Sequence, residues 1–147
     1  LNLIFENTCS NSLINADKYT VNHIFQNLIG NAMKYTHQGY VKVLIADADE
    51  NNILIKIEDT GIGMSVEYIN DVFSPFSQED AGQKRNYEGN VLGLALVKKY
   101  VELNKASIEV RSEKNKGSIF SVTFKKHPGA DLLNENTRIP ETVNSKG

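Results

Sequence analysis

The chain has 147 residues, 40% hydrophobic and 23% charged, which is enough for one domain around a single core. Its formal net charge is -2, with Lys and Arg interspersed among Asp and Glu, and this argues against a nucleic-acid platform. Cys9 is the only cysteine, so an intrachain disulfide and a Cys-based zinc or redox site are excluded; no apolar run is long enough for a membrane span, no signal pattern opens the chain, and a reducing cytoplasm suits it.

The first residues, LNLIF, alternate Leu1, Leu3 and Phe5 against Asn2 and Ile4, a weak strand pattern. Asp17 reads as the N-cap of a helix in which Val21, Ile24, Phe25, Leu28, Ile29, Ala32 and Met33 recur at helical spacing, a broad stripe expected to face the core. Gly39 ends that segment. YVKVLIADADENNILIKIED then places two runs of β-formers around a turn rich in Asp and Asn, which predicts a hairpin closed by the glycine loop DTGIGM. Ser65 caps a short helix carrying Tyr68, Ile69 and Val72, which Pro75 interrupts, and EDAGQKRNYEG is a polar loop. VLGLALVKKYVELN is helical again, with Leu92, Ala95, Leu96 and Lys99 or Tyr100 on related faces. SIEVRSEKNKGSIFSVTF predicts a second hairpin, closing on Gly117. Beyond Lys126 periodicity stops, so the expected organisation is one domain over residues 1–126 and a disordered tail or linker over 127–147.

Three features carry chemistry. Asn27 and Asn31 lie four apart on the first helix, with Lys34 three residues further, so two amide oxygens and an ammonium share a face. Neutral hard oxygens suit Mg²⁺, and a lysine offsets phosphate charge, although solvated or loop-capping asparagines fit the same residues. Asp59 follows directly from a strand, and Gly61 and Gly63 allow close backbone approach to a ligand or an ordinary tight turn. GNVLGLALVKKY follows a polar loop and opens a helix, where glycine-rich backbone amides can meet a polyphosphate.

The succession NLIGNAMKYT, DTGIGM, VFSPFSQ and GNVLGLALV resembles the catalytic and ATP-binding domain of sensor histidine kinases, in the superfamily that includes DNA gyrase B, over about residues 11–125. The resemblance implies an α/β (α+β) Bergerat fold: a two-layer sandwich whose mixed β-sheet is covered on one face by helices, with a flexible ATP lid at residues 77–90. It implies ATP and Mg²⁺ as cofactors. Asn31 resembles the metal ligand and Asn27 the polar residue one turn earlier that helps hold metal and phosphate. Lys34 would approach the phosphates, Tyr35 would lie along adenine, and Asp59 would accept from the adenine amino group. Gly61 and Gly63 would keep the base pocket open, Phe73 and Phe76 would anchor the lid, and Arg85 would reach phosphate. Gly89, Asn90, Leu92, Gly93 and Leu94 would belong to the phosphate loop.

Hydrolytic members of the superfamily carry a glutamate where this chain has Asn27, and an amide cannot take a proton from water. The resemblance therefore implies transfer of the γ-phosphoryl group to a histidine on a dimeric helical hairpin outside this chain, with a response regulator downstream. It implies no direct membrane insertion, and the isolated domain is expected to be monomeric. No catalytic residue is assigned, because His23, His37 and His127 do not precede Asp or Glu. The chain departs from the family pattern G-T-G-L-G-L at Asn90 and Val91, and at Ala106. A valine held at positive φ costs of order 1–2 kcal/mol. A degenerate, non-catalytic nucleotide-binding or interaction module is the alternative reading.

Overall fold

The computed structural model describes residues 1–10, 13–73 and 91–127. Its elements run β1 (Asn2–Asn7), α1 (Lys18–Lys34), β2 (Tyr40–Asp47), β3 (Asn52–Asp59), α2 (Val66–Asp71), α3 (Val91–Leu103), β4 (Ser107–Glu113) and β5 (Gly117–Lys125). Both hairpins form as expected, and they join in one five-stranded sheet of order β1-β2-β3-β5-β4. The sheet is mixed: β1 runs parallel to β2, and the other pairs are antiparallel.

Register sorts the side chains. Val41, Val43, Ile57, Phe120 and Val122 point to one face and are buried under α1 and α3. Lys42, Lys56 and Glu58 alternate with them on the other face, where Tyr40 donates a 2.6 Å hydrogen bond to Glu58. The expected two-layer sandwich is thus the observed one.

Local chemistry sets the helix starts. The Thr20 N–H donates to the Asp17 carboxylate at 2.8 Å, and the Tyr68 N–H donates to the Ser65 hydroxyl at 3.2 Å, so both expected N-caps satisfy an otherwise orphaned amide. Asn104, just beyond α3, ties the two long helices: its side-chain oxygen accepts from the Asp17 N–H at 2.7 Å and its side-chain nitrogen donates to the Thr20 hydroxyl at 2.8 Å.

One expected face is corrected, and the buried face of a second helix is resolved. On α1, Met33 is 45% exposed while Asn31 is 7% exposed, so a polar amide occupies a core position and a thioether does not. On α3 the buried residues are Leu94, Val97 and Val101, whereas Leu96 and Lys99 are exposed. The stretch from Val91 to Val97 is apolar all round, so its periodicity could not select a face; packing against α1 and the sheet does.

The segment after β1 is strapped to the end of β5. Ile14 bridges Lys126, the Asn15 N–H donates to the Lys125 carbonyl at 3.0 Å and the His127 N–H to the Leu13 carbonyl at 3.2 Å. Asp47 joins both sides: it pairs with Lys126 at 2.9 Å and accepts from Cys9 and Ser10, which holds its carboxyl far below the usual range.

Candidate functional site

Asn27, Asn31, Lys34 and Tyr35 belong to the second half of α1 and its cap, and Asp59 ends β3 beneath them. The Asn27 amide nitrogen donates to the His23 carbonyl at 3.0 Å, which fixes the side chain and leaves its oxygen facing α3. A Cβ on Gly93 would lie 2.6 Å from that oxygen, so glycine is what allows α3 to come this close. The Asn31 side-chain nitrogen is buried with no hydrogen-bond partner among the described residues. An orphaned buried amide costs free energy unless something binds it. Lys34 is exposed, its ammonium 5.5 Å from the centre of the Tyr35 ring.

Asp59 is 8% exposed. Burial pushes its carboxyl above the usual range; the backbone N–H groups of Gly61 and Ser118 and the nearby Thr36 hydroxyl pull against that, and the charge of Glu58 adds to it. The Gly61 bond is 2.9 Å long, whereas the Thr36 hydroxyl, close as it is, makes no hydrogen bond of good geometry among the described residues. A buried carboxyl beside a hydroxyl unsatisfied among the described residues can hydrogen-bond a polar ligand.

The glycine loop is held from both sides. The Ile62 N–H donates to the Tyr35 carbonyl at 3.2 Å, its carbonyl accepts from Asn115 at 2.6 Å, and the Met64 N–H donates to the Ser112 hydroxyl at 2.8 Å. Gly61 packs directly on the Tyr35 carbonyl. Gly63 has φ +68° and lies so close to the Glu113 carbonyl that any Cβ would overlap it. Tyr68 lies below, its hydroxyl pushed up to about 12 by burial, with Tyr35 adding to the shift.

The structure therefore sets Asn27, Asn31 and Tyr35 along the second half of α1 and its cap, with Gly93 against Asn27 and the Asp59–Gly63 turn against Tyr35. Leu94 is fully buried in the core, and Phe73 packs edge-on against Phe120, with ring centres 6.3 Å apart. Phe76, Arg85, Gly89 and Asn90, the expected lid and the expected tail from residue 128 onward lie outside the described residues, as do the side chains of Val91 and Leu92. Val91 opens α3 in helical backbone, so the left-handed conformation expected to strain it is not what the structure shows. His23 sits between the rings of Tyr19 and Tyr100, at 5.3 and 5.5 Å. Sequence reasoning missed Thr36, Ser112 and Ser118; the only signal for Ser118 was its place between Gly117 and an apolar run.

A model of the family described as "Histidine kinase-, DNA gyrase B-, and HSP90-like ATPase" matches residues 16–128. The chain belongs to this family. Its relatives include the autoinducer 2 sensor kinase/phosphatase LuxQ of Vibrio parahaemolyticus, 36% identical over 128 residues, which are 83% of this chain and 15% of the relative. The sensor protein SrrB of Staphylococcus aureus is 34% identical over 126 residues, 86% of this chain and 21% of that protein. The chain thus spans about a sixth to a fifth of the length of these relatives. Among solved structures, the mycobacterial sensor histidine kinase MprB superposes with a TM-score of 0.71 at 24% identity, over 86% of this chain and 85% of that one. Full-length ShkA in complex with AMPPNP superposes with a TM-score of 0.66 at 25% identity, over 85% of this chain and 26% of that one. The family match and the sensor-kinase relatives make this chain a catalytic, ATP-binding domain of the sensor histidine kinase type, and its mixed sheet with a helix layer agrees with the fold of the solved structures.

Proposed function

We propose that this domain binds Mg-ATP and presents its γ-phosphoryl group to a histidine on a separate dimeric helical hairpin of a two-component sensor kinase, on the cytoplasmic side, with a response regulator as the next acceptor. The observation that carries this reading is Asn27. A neutral amide locked to the His23 carbonyl stands where a hydrolytic enzyme needs a base, so the site can hold ATP without activating water. Among the described residues no cluster of three His, Cys, Asp or Glu could hold a metal. Amide and phosphate oxygens remain, and the Asn27 oxygen facing α3 with the Asn31 amide, unsatisfied among the described residues and with two ends interchangeable by a flip, fits that donor set. Bound there by Asn31 and Asn27, Mg²⁺ would offset phosphate charge. Asp59 accepts from the adenine amino group, Tyr35 flanks the base, and Lys34 approaches the phosphates. Arg85, Phe76, Gly89, Asn90, Leu92 and Gly93 complete the phosphate side.

The test is to supply labelled ATP and Mg²⁺ with and without the dimeric hairpin of the parent kinase. Label should move to the hairpin histidine, with little phosphate released by the domain alone. Robust hydrolysis in isolation would move the chain to the hydrolytic branch. Asn31→Ala should remove the Mg²⁺-dependent part of ATP affinity while the fold persists.

A further inference from the structure

Asp59, Ser118 and Ser112 form one row across β3, β5 and β4: Asp59 is the register partner of Ser118, and Ser118 of Ser112. Directly opposed residues project to the same face with Cβ atoms about 4.5–5.5 Å apart. Ser118 is 4% exposed, so water cannot freely complete its hydrogen bonding. The Ser112 Oγ touches three polar groups: the Met64 N–H at 2.8 Å, the Gly117 carbonyl at 2.9 Å and the Ser118 Oγ at 2.8 Å.

A hydroxyl has one proton and two lone pairs. The Gly117 carbonyl can only accept, so it takes the Ser112 proton. The Met64 amide can only donate, so it occupies one Ser112 lone pair. The remaining lone pair faces Ser118, and the proton in that contact is therefore Ser118's own. We propose that Ser112 is a positioning residue that fixes the Ser118 hydroxyl as an acceptor, so that Asp59 and Ser118 together offer acceptors only to whatever enters beside them. The ligand selected is one that presents an amine, or a water that donates to both. Resting on the adenine reading above, this makes Ser112 a determinant of adenine over guanine. Adenine offers an amino group where guanine offers a carbonyl, and a Ser118 free to rotate could donate to that carbonyl.

The first measurement needs no nucleotide. Carbon NMR follows the titration of Asp59 in the full chain, in the parent and in Ser112→Ala, Ser112→Thr, Ser118→Ala and the double alanine variant. Ser112→Ala frees the Ser118 proton to turn toward Asp59, and a donor to a carboxylate favours its charged form, so the Asp59 midpoint should fall. Ser112→Thr should keep the parent midpoint, and in the Ser118→Ala background Ser112→Ala should change nothing. An unchanged midpoint in Ser112→Ala, or a shift that persists without Ser118, overturns the proposal. Ser112→Cys, which keeps the volume but is a weak acceptor, replaces the alanine variant should that one not fold.

The second measurement is the ratio of ATP to GTP affinity by calorimetry. Ser112→Ala should reduce it roughly five-fold, the scale of one neutral hydrogen bond, and Ser112→Thr should preserve it. An equal loss for both nucleotides would mean that Ser112 acts only by bracing the loop at Met64, and would overturn the specificity role. A parent chain that prefers neither nucleotide, with the Asp59 midpoint still moving as described, would overturn the adenine reading and leave the proton assignment supported.

Discussion

The two edges of the sheet are built in opposite ways. On the β4 side, polar groups are buried and tied to one another: Asp59 accepts from the Gly61 N–H, and Ser112 accepts from the Met64 N–H and contacts the Ser118 hydroxyl, beside the end of α1. On the β1 side, apolar groups are exposed. Leu3 and Phe5 share a face with Val41 and Val43, yet they are 59% and 46% exposed while their partners are buried. Side-chain polarity thus predicts burial only where a second layer is present to bury against, and α1 and α3 leave β1 uncovered.

The largest expected effect lies on the clamped side. Gly63→Val forces a β-branched residue to φ +68° and into the Glu113 carbonyl, and should destabilise the chain by about 2–4 kcal/mol in urea unfolding. A loss under about 1 kcal/mol would show that the loop is not held as described.

Asp59→Asn sharpens the comparison by separating stability from binding. Burial raises the folded carboxyl above its ordinary value of 3.8, so the native state keeps a proton that the unfolded chain has released. That contribution is complete below pH 3.8 and is lost as pH rises through the folded value. The amide variant should therefore be more stable than the parent at pH 7 without nucleotide, converge with it at acid pH, and lose at least about ten-fold in preference for ATP over GTP. Thermal melts that show a pH-independent difference would count against a buried, strained carboxylate.

On the bare side, Phe5→Ala should cost no more than about 1 kcal/mol, because half of the ring is already in water. A loss above about 2 kcal/mol would mean that β1 is covered in solution. The smallest effect is expected at Val91. Standing in helical backbone, it needs no glycine, and Val91→Gly should leave ATP affinity within about two-fold. A ten-fold gain for ATP over adenosine would show that the loop takes up a glycine conformation when nucleotide binds.

What was legible in the sequence is what is encoded locally. Asp17 and Ser65 announced helix starts because a capping side chain acts within three residues, and each hairpin was visible because its turn residues lie between two β-rich runs. The motif order carried the fold and grouped Asn27, Asn31 and Asp59. The exchange of Asn31 for Met33 in the core was not legible, since the two residues lie on opposite flanks of the broad apolar stripe of α1 and side-chain polarity assigns them the other way round. Nor was the row from Asp59 through Ser118 to Ser112, which depends on the register between strands that are distant in sequence.

The strap between residues 13–15 and 125–127 bears on the order in which the chain assembles. The two hairpins close over short stretches and can form early, whereas the strap joins opposite ends of the described fold and β1 pairs with β2 only after the whole of α1 has been crossed. Loop-closure entropy grows only logarithmically with length, so such contacts lose little at equilibrium by being long-range. Rate is more sensitive to sequence separation than stability is. Substitutions in the strap, Lys126 above all, should accordingly accelerate unfolding and leave the refolding rate almost untouched, the signature of contacts made after the transition state.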